Sequence, residues 1–329
     1  MTKLLEIDHL SIEFASPTGP IQVVSSISLD LEPGQTHGIV GESGSGKSVT
    51  SLSIMRLLPK DQARVVEGDI RLQGQSLLGM SESQMQKVRG NRIAFIFQEP
   101  MTALNPVFKI GRQVREAIRQ HSKKSKRAAQ KEAIALLSEV GISSPEQIVN
   151  VYPHQLSGGM RQRVMIAMAI ASNPEILIAD EPTTALDVTI QAQILDLMKK
   201  LQKERGMAMI LITHDLGVVA EVCDVVSVMY AGQIVEQGDV KTLFREPKHP
   251  YTVGLLNSIP QFSGKEKRLQ AISGQVPHPA EYPAGCRIAA RCPSRMDMCD
   301  NIEPTLYELD HGHRCKCHLY RGDENVTYS

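Results

Sequence analysis

Apolar and polar residues largely alternate along residues 4–14 (LLEIDHLSIEF), the period-two pattern of a strand with one buried face. Residues 21–31 (IQVVSSISLDL) predict a second strand, stopped by the turn signal Glu32-Pro33-Gly34. A short apolar run, Gly38-Ile39-Val40, then meets a glycine-rich turn, and Lys47 to Leu58 reads as a helix. Ile93 to Phe97 predicts a third strand, ended by Gln98. From about 100 to 172 the pattern becomes helical: Ile110 to Val140 is charged and amphipathic, and Val164 to Ala171 continues a helix opened by glycines. Ile176 to Ala179 and Met207 to Ile212 are apolar runs ending in polar residues. Buried strands of a parallel sheet look like this, with functional groups at the carboxyl edge. Val225 to Tyr230 and Gln233 to Glu236 flank Ala231-Gly232 and predict a hairpin. Beyond about 244 the character shifts: Pro247, Pro250, Pro260, Pro277, Pro279 and Pro283 recur, and half of the ten histidines lie there. This places a domain boundary near 245 in an α/β chain without internal repeats.

Composition narrows the functional classes. A length of 329 residues suggests two domains and suffices for a full core. Lys plus Arg equals Asp plus Glu at 36 each, which argues against a general polyanion binder held by bulk charge. The 42% hydrophobic content excludes global disorder. Val164 to Ala171 is the longest apolar run, far short of a membrane span. The N-terminal MTKLLEIDHL has no apolar signal core. A cytosolic-type chain is expected.

Gly41 to Ser48 reads GESGSGKS, which fits G-x-x-x-x-G-K-[ST], follows an apolar strand and opens a helix. Its glycines let backbone N–H groups converge on phosphate, and the helix dipole adds to the attraction. Lys47 is expected to reach the β- and γ-phosphates and Ser48 to ligate Mg²⁺. Ile176 to Glu181 reads ILIADE, a buried strand ending in two carboxylates: one for Mg²⁺, the next for the attacking water. By itself such a pair also suits a helix cap or a surface pair. Leu156 to Met160 reads LSGGM before an apolar helix, a second anion-binding geometry or a capped surface helix.

Taken together, GESGSGKS, LSGGM, ILIADE, Ala185-Leu186-Asp187 and His214 after a strand resemble the nucleotide-binding subunit of ATP-binding-cassette (ABC) transporters, in matching order over residues 4 to 244. The resemblance implies a P-loop NTPase cassette: a RecA-like core, an antiparallel β subdomain and a helical subdomain at about 100–172. A small cysteine-rich domain at 245–329 follows the cassette at 1–244. It implies a head-to-tail dimer with ATP between the phosphate loop of one subunit and the LSGG of the other. Within it, Phe14 would stack on adenine, unless it is an ordinary strand residue. Gly41, Ser43, Gly44, Ser45, Gly46, Lys47 and Ser48 would hold the phosphates. Ser48, Gln98 and Asp180 would serve Mg²⁺, Glu181 would act as general base, and His214 would contact the γ-phosphate. Ser157, Gly158 and Gly159 would bind the γ-phosphate of the opposing subunit, and Asp187 would couple the two sites. No arginine finger is visible, so Lys47, Mg²⁺ and the opposing helix dipole would stabilise the developing charge.

Pro100 to Pro106 (PMTALNP), Tyr152-Pro153-His154-Gln155, DEPTTALDVTIQAQI from Asp180 to Ile194 and His249-Pro250-Tyr251-Thr252 further resemble the dipeptide/oligopeptide importer branch. That implies an ATPase motor for peptide uptake, peripheral at the cytoplasmic face of the inner membrane. Its implied partners are a second, paralogous ABC ATPase, two membrane permeases and a substrate-binding protein, with no nucleic acid. Another cargo on the same machinery (nickel chelate, glutathione, antimicrobial peptide) remains an alternative. A soluble ABC ATPase acting on nucleic acid or ribosomes is disfavoured by the single cassette and by the short, 110-residue separation of Lys47 from Ser157.

Five of six cysteines crowd the tail as Cys286-x₅-Cys292-x₆-Cys299-x₁₇-Cys317, with Cys315 beside the last. The set lacks the close C-x-x-C pairs of common zinc sites. Zinc, an iron–sulfur cluster and unmetallated thiols stay open on spacing alone. The family resemblance implies a [4Fe–4S] cluster on Cys286, Cys292, Cys299 and Cys317, with Cys315 as an alternative ligand. Cys223 reads as a small core residue. Lys123, Lys124, Lys126 and Arg127 read as a solvated helix face or a lipid-facing patch, His311 and His313 as polar loop, and Met165 and Met168 as core.

Overall fold

A computed structural model describes residues 3–98, 103–184, 186–258, 272–322 and 327–328. Pro100 and the two residues after it, Ala185 and Pro260 fall outside them. Residues up to 78 supply β1 (Leu5–Phe14), β2 (Ile21–Leu31), β3 (Thr36–Val40), α1 (Lys47–Ile54), β4 (Ala63–Leu72) and β5 (Gln75–Ser76). Next come α2 (Glu82–Val88), β6 (Ile93–Ile96), α3 (Ile110–Gln120), α4 (Lys126–Glu139), α5 (Pro145–Ile148), α6 (Gly158–Ala169), β7 (Ile176–Asp180), α7 (Val188–Arg205) and β8 (Ala208–Thr213). The remainder holds α8 (Leu216–Val222), β9 (Val225–Tyr230), β10 (Gln233–Asp239), α9 (Val240–Arg245), α10 (Pro250–Asn257), β11 (Tyr307–Glu308), β12 (Arg314–Cys315) and β13 (Thr327–Tyr328).

The chain forms two compact units: 1–32, 36–78 and 213–329 make the first, and 33–35 with 79–212 the second. In the first, β2-β1-β4-β5 form an antiparallel sheet. The order β13-β11-β12-β10-β9-β3 builds another, in which β3 runs parallel to β9. Ala231 (φ 47) and Gly232 (φ 80) turn β9 into β10, the two positive φ values a tight hairpin requires. Val226, Val228, Tyr230, Val235, Leu243, Tyr251 and Ile288 share one core, so the described residues around Tyr251 and Ile288 pack on this unit. In the second unit β6, β7 and β8 run parallel. β7 and β8 are buried along their whole length, as their unbroken apolar character requires.

Several boundaries differ from the sequence pattern. The first helix stops at Ile54, not Leu58: Met55 caps it and Arg56 takes φ 50, which helices do not continue through. The Ile110–Val140 stretch is two helices. α4 starts afresh where Ser125 Oγ accepts the Ala128 N–H at 3.2 Å. β4 escaped the period-two reading because Gly68 and charged residues interrupt it. Gly68 (φ 84) passes so close to β1 that a Cβ would lie 2.3 Å from the Asp8 carbonyl, and the β1–β4 register shifts there.

Candidate functional site

In the first unit, fully buried β3 delivers the chain to Gly41. A Cβ on Gly41 would lie 2.1 Å from the Met229 carbonyl oxygen, so only glycine fits. Gly44 (φ 80) and Gly46 (φ 101) then fold the loop onto α1. Gly46 is the N-cap and no side chain caps this end. The positive end of the helix dipole at this terminus attracts an anion. The Ser45 carbonyl accepts the Gly232 N–H at 2.9 Å, which ties the loop to the β9–β10 hairpin. Lys47 is almost wholly buried, and its ammonium donates to the carbonyls of Gly41 (2.8 Å) and Glu42 (3.0 Å). Ser45 Oγ is fully buried without a hydrogen-bond partner. It is an unsatisfied donor and acceptor buried inside the loop. Phe14, at the end of β1, lines a cleft of about 340 Å³ with Ala15, Ser16, Lys60 and Arg64. His214 is exposed and directly follows β8.

The second unit carries the carboxylates. Asp180 closes β7 and is buried. Glu181 turns away with φ 45, a region uncommon for a non-glycine residue, and its N–H donates to the Ile212 carbonyl at 2.9 Å. One carboxylate oxygen, Oε2, accepts two hydrogen bonds: from Gln98 Nε2 at 3.0 Å and from Thr184 Oγ1 at 2.9 Å. Gln98 and Glu181 are therefore brought together across 83 residues. Thr184 was missed by sequence reasoning. Its only signal was a hydroxyl three residues after the glutamate.

Also in the second unit, Ser157 caps α6, its hydroxyl accepting the Met160 N–H at 3.3 Å. Asp187 caps α7 in the same way through Ile190 N–H at 3.0 Å. A Cβ on Gly159 would meet Ile190 Cγ2 at 2.7 Å, and one on Gly158 would meet Leu186 Cδ2 at 3.4 Å. The glycines thus let the LSGG turn approach the start of α7, joining two motifs that lie apart in sequence. Ser157 and Gly158 remain exposed.

In the tail, Cys286, Cys292, Cys299 and Cys317 share one electrostatic neighbourhood. Cys317 responds to the other three, and Cys286 and Cys292 each respond to Cys299. Burial pushes the thiols of Cys286 and Cys292 up and that of Cys317 up to about 11. The N–H groups of Ile288, Ser294 and Leu319 reach the sulfurs of Cys286, Cys292 and Cys317, each two residues upstream. Cys315 is fully buried, beside Glu236 and near Cys317, with its thiol raised chiefly by burial. Even so, among the described residues no three His, Cys, Asp or Glu side chains are arranged to hold a metal ion.

A loop that presents amides, a buried lysine and an unsatisfied hydroxyl, together with a buried Asp-Glu strand end and an LSGG turn, defines a nucleotide-binding cassette of the ABC class. Residues 24–184 match the ABC transporter family and residues 235–299 the oligopeptide/dipeptide transporter C-terminal region. The oligopeptide transport ATP-binding protein AppD of Bacillus subtilis is 51% identical over 97% of this chain and 98% of its own length. The dipeptide transport ATP-binding protein DppD of Escherichia coli is 49% identical over 96% of each. Among solved structures, the dimeric post-hydrolysis ATP-binding cassette MJ0796 bound to ADP and Pi superposes with a TM-score of 0.65. It has 27% identity and covers 72% of this chain and 98% of that one. The chain belongs to the ATP-binding subunits of the oligopeptide/dipeptide ABC importers, and its activity is ATP hydrolysis within that machinery.

Proposed function

We propose that this subunit powers uptake of di- or oligopeptides by binding ATP on the Gly41–Ser48 loop and hydrolysing it with Glu181 as the base. The observation that carries this reading is the Glu181 carboxylate, one oxygen of which is fixed by Gln98 and Thr184. A carboxylate held in this way orients water and takes its proton as the water attacks. The water oxygen bonds to the γ-phosphorus as the bond to the β–γ bridging oxygen breaks, and ADP and phosphate leave. Lys47 and the loop amides carry the phosphate charge, and Phe14 stacks on adenine. Ser48, Asp180 and Gln98 would hold Mg²⁺, which neutralises the leaving phosphates. His214 contacts the γ-phosphate. Ser157, Gly158 and Gly159 serve the nucleotide of an opposing cassette, and Asp187 couples the two.

No helix among the described residues is long and apolar enough to cross a membrane, so the channel must be supplied by membrane permeases. A substrate-binding protein delivers cargo, and a paralogous ATPase completes the dimer at the cytoplasmic face of the inner membrane. Peptide cargo is favoured by the relatives named for oligopeptides and dipeptides. The family match of the tail over 235–299 favours an importer over a nucleic-acid or ribosome ATPase. In the assembled transporter Glu181→Gln retains ATP but loses turnover by at least about 10²-fold. Wild-type hydrolysis by that variant would remove Glu181 as the base.

Residues 245–329 form the cysteine domain of this scheme, after a cassette at 1–244. Cys286, Cys292, Cys299 and Cys317 would hold a [4Fe–4S] cluster, with Cys315 as the alternative ligand. Their shared electrostatic neighbourhood supports that set, and the N–H groups donated to three of the sulfurs offset part of the burial that favours the neutral thiols. A cluster supplies a four-point cross-link to the tail. Protein purified without oxygen is expected to carry iron and acid-labile sulfide that Cys299→Ser removes. Equimolar zinc without sulfide rejects the cluster.

A further inference from the structure

The His249-Pro250-Tyr251-Thr252 motif and the arginine beside Cys292 have no part in the chemistry above, yet both reach the phosphate loop. His249 caps α10, its Nδ1 accepting the Tyr251 N–H at 3.1 Å, and Pro250 occupies the first turn. Tyr251 is thereby set edge-on to Tyr230, ring centroids 4.7 Å apart, with its hydroxyl accepting the Glu42 N–H at 3.1 Å. Glu42 is the residue after Gly41, so its amide points to Tyr251 and braces the loop. Its side chain is a problem for the loop's task, because a carboxylate here repels polyphosphate. Arg291 answers it. Nη2 donates to Glu42 Oε2 at 3.2 Å and Nη1 lies 3.1 Å from Oε1. The Arg291 side chain is only 7% exposed. Its Nε donates to the Ser273 carbonyl at 2.8 Å and Nη2 to that of Gly274 at 3.2 Å, and Nη1 reaches Tyr230 Oη at 3.4 Å. The fork is thus fixed by main-chain carbonyls and aimed at the loop.

We propose that Arg291 and Tyr251 are positioning residues of the phosphate loop. Arg291 cancels the charge of Glu42 and Tyr251 anchors its amide, so the segment after 245 sets nucleotide affinity. This rests on Gly41–Ser48 being the ATP site. Without a partner, the Glu42 carboxylate turns against the phosphates it is meant to cradle. Arg291 is withdrawn from water while Glu42 is 31% exposed, so bulk screening corrects only part of that.

The test measures ATP affinity of the full chain by titration calorimetry for wild type, Arg291→Ala, Glu42→Gln and the double variant. Arg291→Ala is expected to weaken ATP binding about tenfold, the scale of coupling between contacting charged groups. Adding Glu42→Gln should return affinity to within about twofold of wild type, because the repelling charge is then gone. Arg291→Lys, which keeps the charge but loses the fork, should fall between. Unchanged affinity in Arg291→Ala overturns the proposal. So does a loss that Glu42→Gln fails to repair, since a residue that merely packs the tail would not be rescued from the loop. Failure of wild type itself to bind ATP would instead reject the reading of the loop.

Discussion

His37, the second residue of β3, is buried and held on both ring nitrogens. Nδ1 lies 3.0 Å from the Asp30 carbonyl, which can only accept, so this nitrogen carries the proton. Nε2 then accepts from Ser227 Oγ at 2.8 Å, and that hydroxyl accepts from Gln237 Nε2 at 3.0 Å. Every partner is satisfied by a neutral ring, and burial pushes its pKa from 6.5 down to about 4. His249 is lowered to about 4 by the same cause. In the unfolded chain both rings take up a proton as pH drops through about 6.5, while the folded protein resists until near 4. Stability is therefore flat with respect to these groups above pH 6.5 and declines between there and 4. The slope reaches at most about 1.4 kcal/mol per pH unit for each ring. Urea unfolding across this range should show a shallower decline for His37→Gln than for wild type. Parallel slopes would mean that the ring is protonated in the fold.

At the level of elements, legibility followed the simplicity of the burial pattern. β7 and β8 are buried on every residue and were readable as apolar runs, each to within a residue of its observed ends. The hairpin at Ala231-Gly232 was readable because two positive-φ positions leave few residue choices. β4 was not, since a glycine forced by the passing β1 backbone breaks its alternation. The phosphate loop was legible because its glycines answer local constraints, such as the positive φ of Gly44 and Gly46. What escaped depends on long-range placement. The pairing of Arg291 with Glu42 spans 249 residues, and nothing in either neighbourhood points to the other. Thr184 escaped for a different reason: a hydroxyl near a glutamate is too common to single out before the left-handed turn at Glu181 brings the two together.

On the scale of the whole molecule, the LSGG turn caps α6 and packs against the start of α7. Ser157 and Gly158 are exposed, and the turn is built rigidly, with Gly159 packed so close to Ile190 that a Cβ would not fit. Rigid, exposed and dipole-bearing, it suits a phosphate presented from outside. If a second cassette presents that phosphate, reciprocal pairing makes each subunit complete its mate's site. Binding and turnover then separate cleanly. Ser157→Arg sets a long side chain on the exposed turn but leaves the Gly41–Ser48 loop untouched. The isolated variant should hold ATP within about twofold of wild type, while turnover in the assembled importer falls by about 10²-fold or more, the pattern of a lost transition-state contact. The isolated wild-type chain should hydrolyse ATP slowly, with specific activity rising as the paralogous ATPase is added. Specific activity at the level of the assembled importer that stays constant on dilution would show a site sufficient in one chain, and the exposed turn would need another explanation.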